Sequence, residues 1–174
     1  MEYDRERWTC YLHHNTYKAL RLISPDFNLY YSVWCSGEHE LYDLTVCHLY
    51  HSISSMYYTD TYVQTDPYQL HNLYPNLAAS KIGSYSAVKI STRLDALLMV
   101  LKSCKGDTCI QPWRTLHPYG DVHSLLDALD DTFDAFYVRQ VRVQFGWCEH
   151  GYLLEAEGPQ VPLAYRHTRW SDWV

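Results

Sequence analysis

At 174 residues and 20.5 kDa the chain has the size of one ordinary domain with a real core, which excludes a large multidomain enzyme. Hydrophobic residues make up 47% and aromatics 16%, too many for a disordered chain. A net charge of −6, with Lys and Arg scattered, excludes the basic footprint of a nucleic-acid surface.

The start, Met1-Glu2-Tyr3-Asp4-Arg5-Glu6-Arg7, is charged where a secretory signal needs an apolar core, and no apolar run approaches the roughly 20 residues that span a bilayer. The expectation is a soluble chain without an export signal. Two β-rich segments follow, Tyr17 to Ile23 and Leu29 to Cys35, joined by Ser24-Pro25-Asp26-Phe27-Asn28 as a hairpin. Both faces of the second carry bulk, so it reads as an inner strand. A turn at Ser36-Gly37 leads to a third strand, His39 to Leu44, completing an antiparallel meander.

Asp66-Pro67-Tyr68-Gln69 has the order of an N-cap, a Pro at the first helical position and a Gln two further on, predicting a short helix that ends near Asn72-Leu73. Leu94, Leu97, Leu98 and Leu101 repeat at helical spacing, with Arg93, Asp95 and Lys102 off the stripe; an amphipathic helix over Val88 to Ser103 is expected to cover the sheet. A second such stripe runs through Val122, Leu125, Leu126, Leu129, Phe133 and Phe136, and Val141, Val143 and Phe145 alternate as a strand beyond it. The fold class is α+β, a small antiparallel sheet packed by two or three amphipathic helices.

Six cysteines form no CxxC pair, which removes the main support for zinc-ribbon and thioredoxin-type sites. Cys104 and Cys109 flank a Gly-Asp turn that can bring their Cα atoms within disulfide range. Such a bond persists in oxidising compartments, in tension with the missing signal. Cys148-Glu149-His150 places a thiol beside an imidazole, but sequence neighbours point in different directions and form no catalytic couple. His48 and His51 would share a helix face and His13 and His14 are adjacent, with no third ligand at a zinc-like spacing. Asp127, Asp130, Asp131 and Asp134 cluster at helical spacings and read as a solvated face. No Gly-rich phosphate loop is present.

Glu40-Leu41-Tyr42-Asp43-Leu44 and Asp66-Pro67-Tyr68-Gln69-Leu70-His71-Asn72-Leu73 resemble the two halves of a signature near the C-terminus of sulfatases, ELYDL-x-x-DP-x-[EQ]-x-x-NL. Thr16 to Arg21, Tyr31 to Cys35, Arg93 to Leu98, Cys104 to Cys109 with Trp113, and Phe133 to Tyr137 also look like fungal-type arylsulfatases, within the alkaline-phosphatase-like superfamily. The resemblance covers residues 16–174, leaving 1–15 as a non-family stretch, and implies the small C-terminal subdomain, an antiparallel sheet packed by helices. It further implies sulfate monoester hydrolysis in the parent family, using a formylglycine made within C/S-x-P-x-R and a calcium site on a preceding α/β domain. None of those residues can be carried over: in Cys109-Ile110-Gln111-Pro112-Trp113-Arg114 the Pro and Arg stand one position too far, on the other face of an extended segment. The expected state is therefore a C-terminal arylsulfatase fragment without cofactor, catalytic residue or metal ligand, inactive alone. Its partner would be the missing catalytic domain, with no nucleic acid or membrane involved, and the parent family is extracellular or secretory. The alternative is a noncatalytic binding or interaction module using exposed aromatics.

Residues 46–64 interrupt the signature; removing Val46 to Gln64 restores the family spacing. The segment has neither helical nor clean strand periodicity, and the expectation is a poorly ordered loop. It reads either as a surface loop, which costs little to insert, or as a translated, retained intron. Val46-Cys47 can be encoded by GTATGT, Thr59-Asp60 by ACTGAC and Gln64 by CAG, in the order of donor, branch and acceptor.

Overall fold

The computed structural model describes residues 16–49, 61–64, 66 and 68–160. Strands β1 (Tyr17–Ile23), β2 (Asn28–Trp34) and β3 (His39–Asp43) form an antiparallel meander in that order. The register runs from Tyr17↔Trp34 to Ile23↔Asn28 and from Leu29↔Asp43 to Val33↔His39, with no bulge. The first turn is closed by Ser24 N–H to Phe27 O at 2.7 Å and by Phe27 N–H to Ser24 Oγ at 3.1 Å. The second needs the left-handed φ of +86° that Gly37 supplies without steric cost.

Leu20, Leu29, Tyr31, Val33 and Leu41 leave the sheet on one face and meet Ile90, Leu94, Leu97 and Leu98 of helix α1 (Ala87–Leu101) in one buried cluster. The helix sits within a residue or two of the expected span. Its Arg93 and Asp95 do not lie on an open face, however: they are 2% and 1% exposed. Sheet covers one side of α1 and the segments after it cover the other, so it has no solvent stripe to which these residues can belong.

Those later segments are shorter than the second apolar stripe predicts. Helices α2 (Asp107–Ile110), α3 (Pro112–Leu116), α4 (Leu125–Ala128) and α5 (Asp134–Val138) are four or five residues each. The stripe breaks because Ser124 Oγ accepts from Asp127 N–H and Asp130 accepts from Thr132 N–H, two caps that each restart the backbone. Its apolar side chains still pack, with Leu125 and Leu129 in the sheet cluster, and Val122, Ala128 and Tyr137 in a second cluster around Ala96 and Val100.

Three further expectations are corrected. No helix forms over residues 68–73: Gln69 has φ of +56°, and a 3-10 turn follows only at Tyr74–Asn76. Val141 to Phe145 alternates in burial as a strand would but joins no ladder. Within the interruption, β4 (Val46–Leu49) pairs antiparallel with β5 (Thr61–Gln64), Val46 opposite Gln64, so its two ends form a ladder rather than a loop; residues 50–60 lie outside the described residues. A two-strand ladder, β6 (Lys81–Ile82) with β7 (Tyr85–Ser86), leads into α1.

Residues 141–160 strap the helix back to the sheet. A disulfide joins Cys35 to Cys148 with Cα atoms 5.0 Å apart, and Thr16 Oγ1 donates to Glu149 O at 2.8 Å. The Lys102 ammonium donates to Glu157 O at 2.7 Å and Gly146 N–H to Ala156 O at 2.9 Å. The strap doubles back so tightly that a Cβ on Gly158, which has φ of +66°, would stand 2.1 Å from Gln144 O.

Candidate functional site

The two signature halves meet at the outer edge of β3. Asn72 Oδ1 accepts from Leu41 N–H at 3.0 Å and from Tyr74 N–H at 3.0 Å, and its Nδ2 donates to His39 O at 3.2 Å. Leu73 N–H then donates to Leu41 O at 2.8 Å. A side-chain amide thus stands in for a neighbouring strand beside His39 and Leu41, in the first half of the β3 edge. Asp66 caps the approach, accepting from Leu70 N–H at 2.9 Å and His71 N–H at 2.8 Å. These bonds outweigh the upward push of burial and hold its carboxyl below the usual range. Glu40 accepts from the Ser32 hydroxyl at 2.7 Å, Asp43 accepts from Thr45 N–H at 3.0 Å, and Tyr42 and Leu44 are buried. Pro67 lies outside the described residues. Every polar atom named here holds backbone or a neighbouring side chain.

Behind this edge runs a row of buried polar groups that periodicity did not reveal. His39 Nδ1 and the Tyr31 hydroxyl are 3.0 Å apart, and that hydroxyl donates to Asp95 Oδ1 at 2.9 Å. Asp95 Oδ2 accepts from Val143 N–H at 3.1 Å, with Arg142 Nη1 at 3.9 Å. Burial pushes the Asp95 carboxyl up to about 6, and the Tyr31 bond and Arg142 restrain the rise. Burial likewise draws the Lys102 ammonium down to about 8 against the pull of Glu157, and that carboxylate also pairs with Lys18 at 3.0 Å. A second row joins Asp121, His117 and Tyr137, with Nε2 to hydroxyl at 2.9 Å and Nδ1 to carboxylate at 3.7 Å. Tyr137 is fully buried, so this carboxylate–imidazole–hydroxyl sequence has no access to a substrate.

Four of the six cysteines are paired with one another. Cys104 is bonded to Cys109, Cα atoms 5.2 Å apart, and Cys148 to Cys35, so neither Cys148-Glu149-His150 nor the Cys109-to-Arg114 run presents a nucleophilic sulfur. Pro112 of that run opens α3. His48 stands on strand β4 and not on a helix; His13, His14 and His51 lie outside the described residues.

Asp127, Asp130 and Asp131 of the aspartate cluster line a cleft of about 840 Å³ with Tyr85, Asp121 and Phe133, yet these three and Asp134 are engaged rather than merely solvated. Asp127 accepts from His123 N–H and the Ser124 hydroxyl, Asp130 from Thr132 N–H, and Asp131 and Asp134 pair with Lys89 and Arg93. The buried Arg93 also donates to Ala128 O at 3.1 Å and lies 4.5 Å from the Tyr137 ring centroid. Among the described residues no group of three or more His, Cys, Asp or Glu could hold a metal ion, and the carboxylates of the cluster, spent on backbone and cations, do not fit a calcium site.

No protein-family model matches the chain, and no solved structure does. Among curated proteins it is 39% identical over 155 residues to Sulfatase ppz1 of Metarhizium majus, covering 88% of this chain and 30% of that protein. It is 34% identical over 145 residues to an arylsulfatase of Volvox carteri, covering 79% of this chain and 18% of the relative. An arylsulfatase of Chlamydomonas reinhardtii is 30% identical over 125 residues, 71% of this chain and 15% of the relative. The chain thus spans between about a seventh and a third of the length of the curated relatives it matches. With that agreement through most of its length, the chain belongs to the sulfatase family, as a C-terminal part of an arylsulfatase-type protein.

Proposed function

We propose that this chain is the supporting C-terminal subdomain of an arylsulfatase, and that its work is to pack against an α/β catalytic domain that hydrolyses sulfate monoesters. The observation that carries the reading is the 39% identity over 88% of the chain against less than a third of a sulfatase. The clasp between Leu41 and Asn72 supports it, since it gives the family signature a purely architectural task. No C/S-x-P-x-R sequence occurs in the 174 residues, so no step of hydrolysis is assigned to them. The two disulfides favour an oxidising, secretory setting.

Two preparations test this. The purified chain is expected to leave 4-methylumbelliferyl sulfate intact, with or without added calcium. A chimera in which it replaces the matching region of the Metarhizium majus sulfatase is expected to hydrolyse the same ester. Turnover by the isolated chain, or a folded but inactive chimera beside an active parent, would overturn the proposal.

A further inference from the structure

Residues 139–147 lead from the end of α5 to Cys148 and contain the first part of the strap. Both ends are fixed: Gln140 N–H donates to Tyr137 O at 3.2 Å, and Cys148 is bonded to Cys35. Between them Val143 is buried in the sheet cluster, with Val141 and Phe145 half-buried against it. The Val143 N–H reaches no ladder but a side chain of α1, Asp95 Oδ2 at 3.1 Å. A short irregular segment with two anchored ends is thus held at its centre by a bond whose acceptor can take up a proton.

Asp95 is enclosed between sheet and strap. From β2 the Tyr31 hydroxyl donates to its Oδ1 at 2.9 Å, and from β3 His39 Nδ1 meets that hydroxyl at 3.0 Å, its ring stacked on Tyr74 at 4.5 Å. From the strap Arg142 Nη1 stands 3.9 Å away, its side chain about half exposed, while Arg139 donates back to Ala135 O. On α1 itself Lys102 is turned to Glu157 O, and Lys18 pairs with the Glu157 carboxylate. Two hydrogen bonds and a half-hydrated guanidinium do not replace what an ionised carboxylate loses on leaving water. Burial accordingly pushes the Asp95 carboxyl up to about 6. Burial also draws the His39 imidazole down, helped by Arg142, and pushes the Tyr31 and Tyr74 hydroxyls up. It draws Lys102 down to about 8. Of these groups, Asp95 and His39 are the ones whose charge changes on mild acidification.

We propose that residues 139–147 are a proton-operated flap: one proton on Asp95 holds them against α1, and its release lets them swing out between their fixed ends. The flap is independent of the sulfatase reading, since every contact that closes it lies within this chain. With the flap open, Asp95 is hydrated and titrates at the ordinary 3.8 instead of about 6, so the closed form binds the proton more tightly. Closure is therefore favoured most below about pH 4, and that advantage is lost as pH rises through about 6. Between pH 4.5 and 7.5 the opening equilibrium should grow by about 20-fold. His39 would act in the opposite direction. Its imidazole resists the proton while enclosed, so a flap governed by His39 would open on acidification. The direction of the change thus identifies the group in control.

Amide hydrogen exchange of the full chain reads the flap directly. Protection factors divide out the intrinsic dependence of exchange on pH, and the Val143 amide is expected to lose about 20-fold of its protection from pH 4.5 to 7.5. It should do so through an opening that dilute urea barely promotes, whereas the amides of Leu97 and Leu98 within α1 exchange by global unfolding and respond steeply to urea. Protection of Val143 that is flat or rises with pH overturns the proposal. So does a Val143 amide that follows Leu97 and Leu98 in both pH and urea, because the segment then has no motion of its own.

Three variants assign the proton. Asp95→Asn keeps an oxygen for the Val143 N–H but cannot ionise, and its Val143 protection should agree within about twofold at the two pH values. Arg142→Gln removes the cation that favours the ionised carboxylate, so the pH midpoint of the Val143 transition should move upward; a purely structural Asp95 would leave that midpoint in place. His39→Gln should retain the wild-type direction and size of the change. A wild-type slope in D95N, an unmoved midpoint in R142Q or a lost slope in H39Q each overturns the assignment. Should D95N fail to fold, R142Q and H39Q decide between the same outcomes, the first altering a side chain that is about half exposed.

Discussion

Asp95 follows Leu94 on α1 and falls off the leucine stripe, where periodicity assigns a carboxylate to water. That rule presumes a helix with one open face, and α1, buried from Ile90 to Val100, has none. What the sequence could not show is that Tyr31, 64 positions away, and Val143, 48 positions on, supply donors at that spot. The consequence is a pH dependence whose sign is fixed. With a pKa of about 6 against an ordinary 3.8, the folded chain holds the Asp95 proton more tightly than the unfolded one. Its contribution to stability is therefore greatest below about pH 4 and falls, by on the order of 2–3 kcal/mol, as pH rises through about 6. The carboxyls of Asp66, Asp127, Asp130 and Asp134 are held low and act in the opposite sense at lower pH. The clean measurement is thus a difference: Asp95→Asn cannot titrate, so urea unfolding of variant and wild type should diverge between pH 4 and 6.5, in the variant's relative favour as pH rises. Parallel profiles would reject the assignment.

Elements whose cause is local were legible. The hairpin has its Ser-Pro-Asp turn and two strands of matched length, and α1 has its leucine spacing, so both appear within a residue or two of the expected bounds. Elements decided by competition were not. Ser124 and Asp130 are ordinary in a helical stripe until their side chains capture Asp127 N–H and Thr132 N–H, and Asp66 serves Leu70 and His71 in a loop instead of opening a helix. The signature illustrates both cases, because its residues were identified by resemblance while their task, Asn72 bonding the β3 edge beside His39 and Leu41, needs the third dimension. The interruption between its halves invites a direct experiment. Val46 opposes Gln64 at the base of a two-strand ladder, and antiparallel partners lie about 5 Å apart. Cutting out residues 46–64 and joining Thr45 to Thr65 should therefore leave the meander undisturbed, with a change in unfolding free energy within about 1 kcal/mol. Loss of a cooperative thermal transition in the deletion variant would show instead that the inserted ladder is part of the core.

At the scale of the whole chain, the two disulfides separate what proximity reveals from what it hides. Cys104 and Cys109 are 5 positions apart across a glycine turn, and their pairing was open to inspection. Cys35 and Cys148 are separated by 113 positions, and only the strap's return past the start of β1 brings them together. Their thermodynamic weight runs the other way. In the chain-entropy account a closed loop of about 110 residues restrains the unfolded state by about 5 kcal/mol, a loop of about 5 residues by about 2. The long bond also fastens the segment whose Val143 N–H satisfies buried Asp95 and whose Glu157 carbonyl meets Lys102, so removing it loosens those contacts as well. Replacing Cys35 and Cys148 by Ser together is expected to lower the melting temperature well beyond the effect of the Cys104→Ser, Cys109→Ser pair, and to speed exchange of the Val143 amide. Paired substitution avoids leaving a lone thiol to mispair with Cys10 or Cys47. If the short-loop variant proves the less stable of the two, the chain-entropy account fails here, and local packing around α2 must carry more of the fold than the strap does.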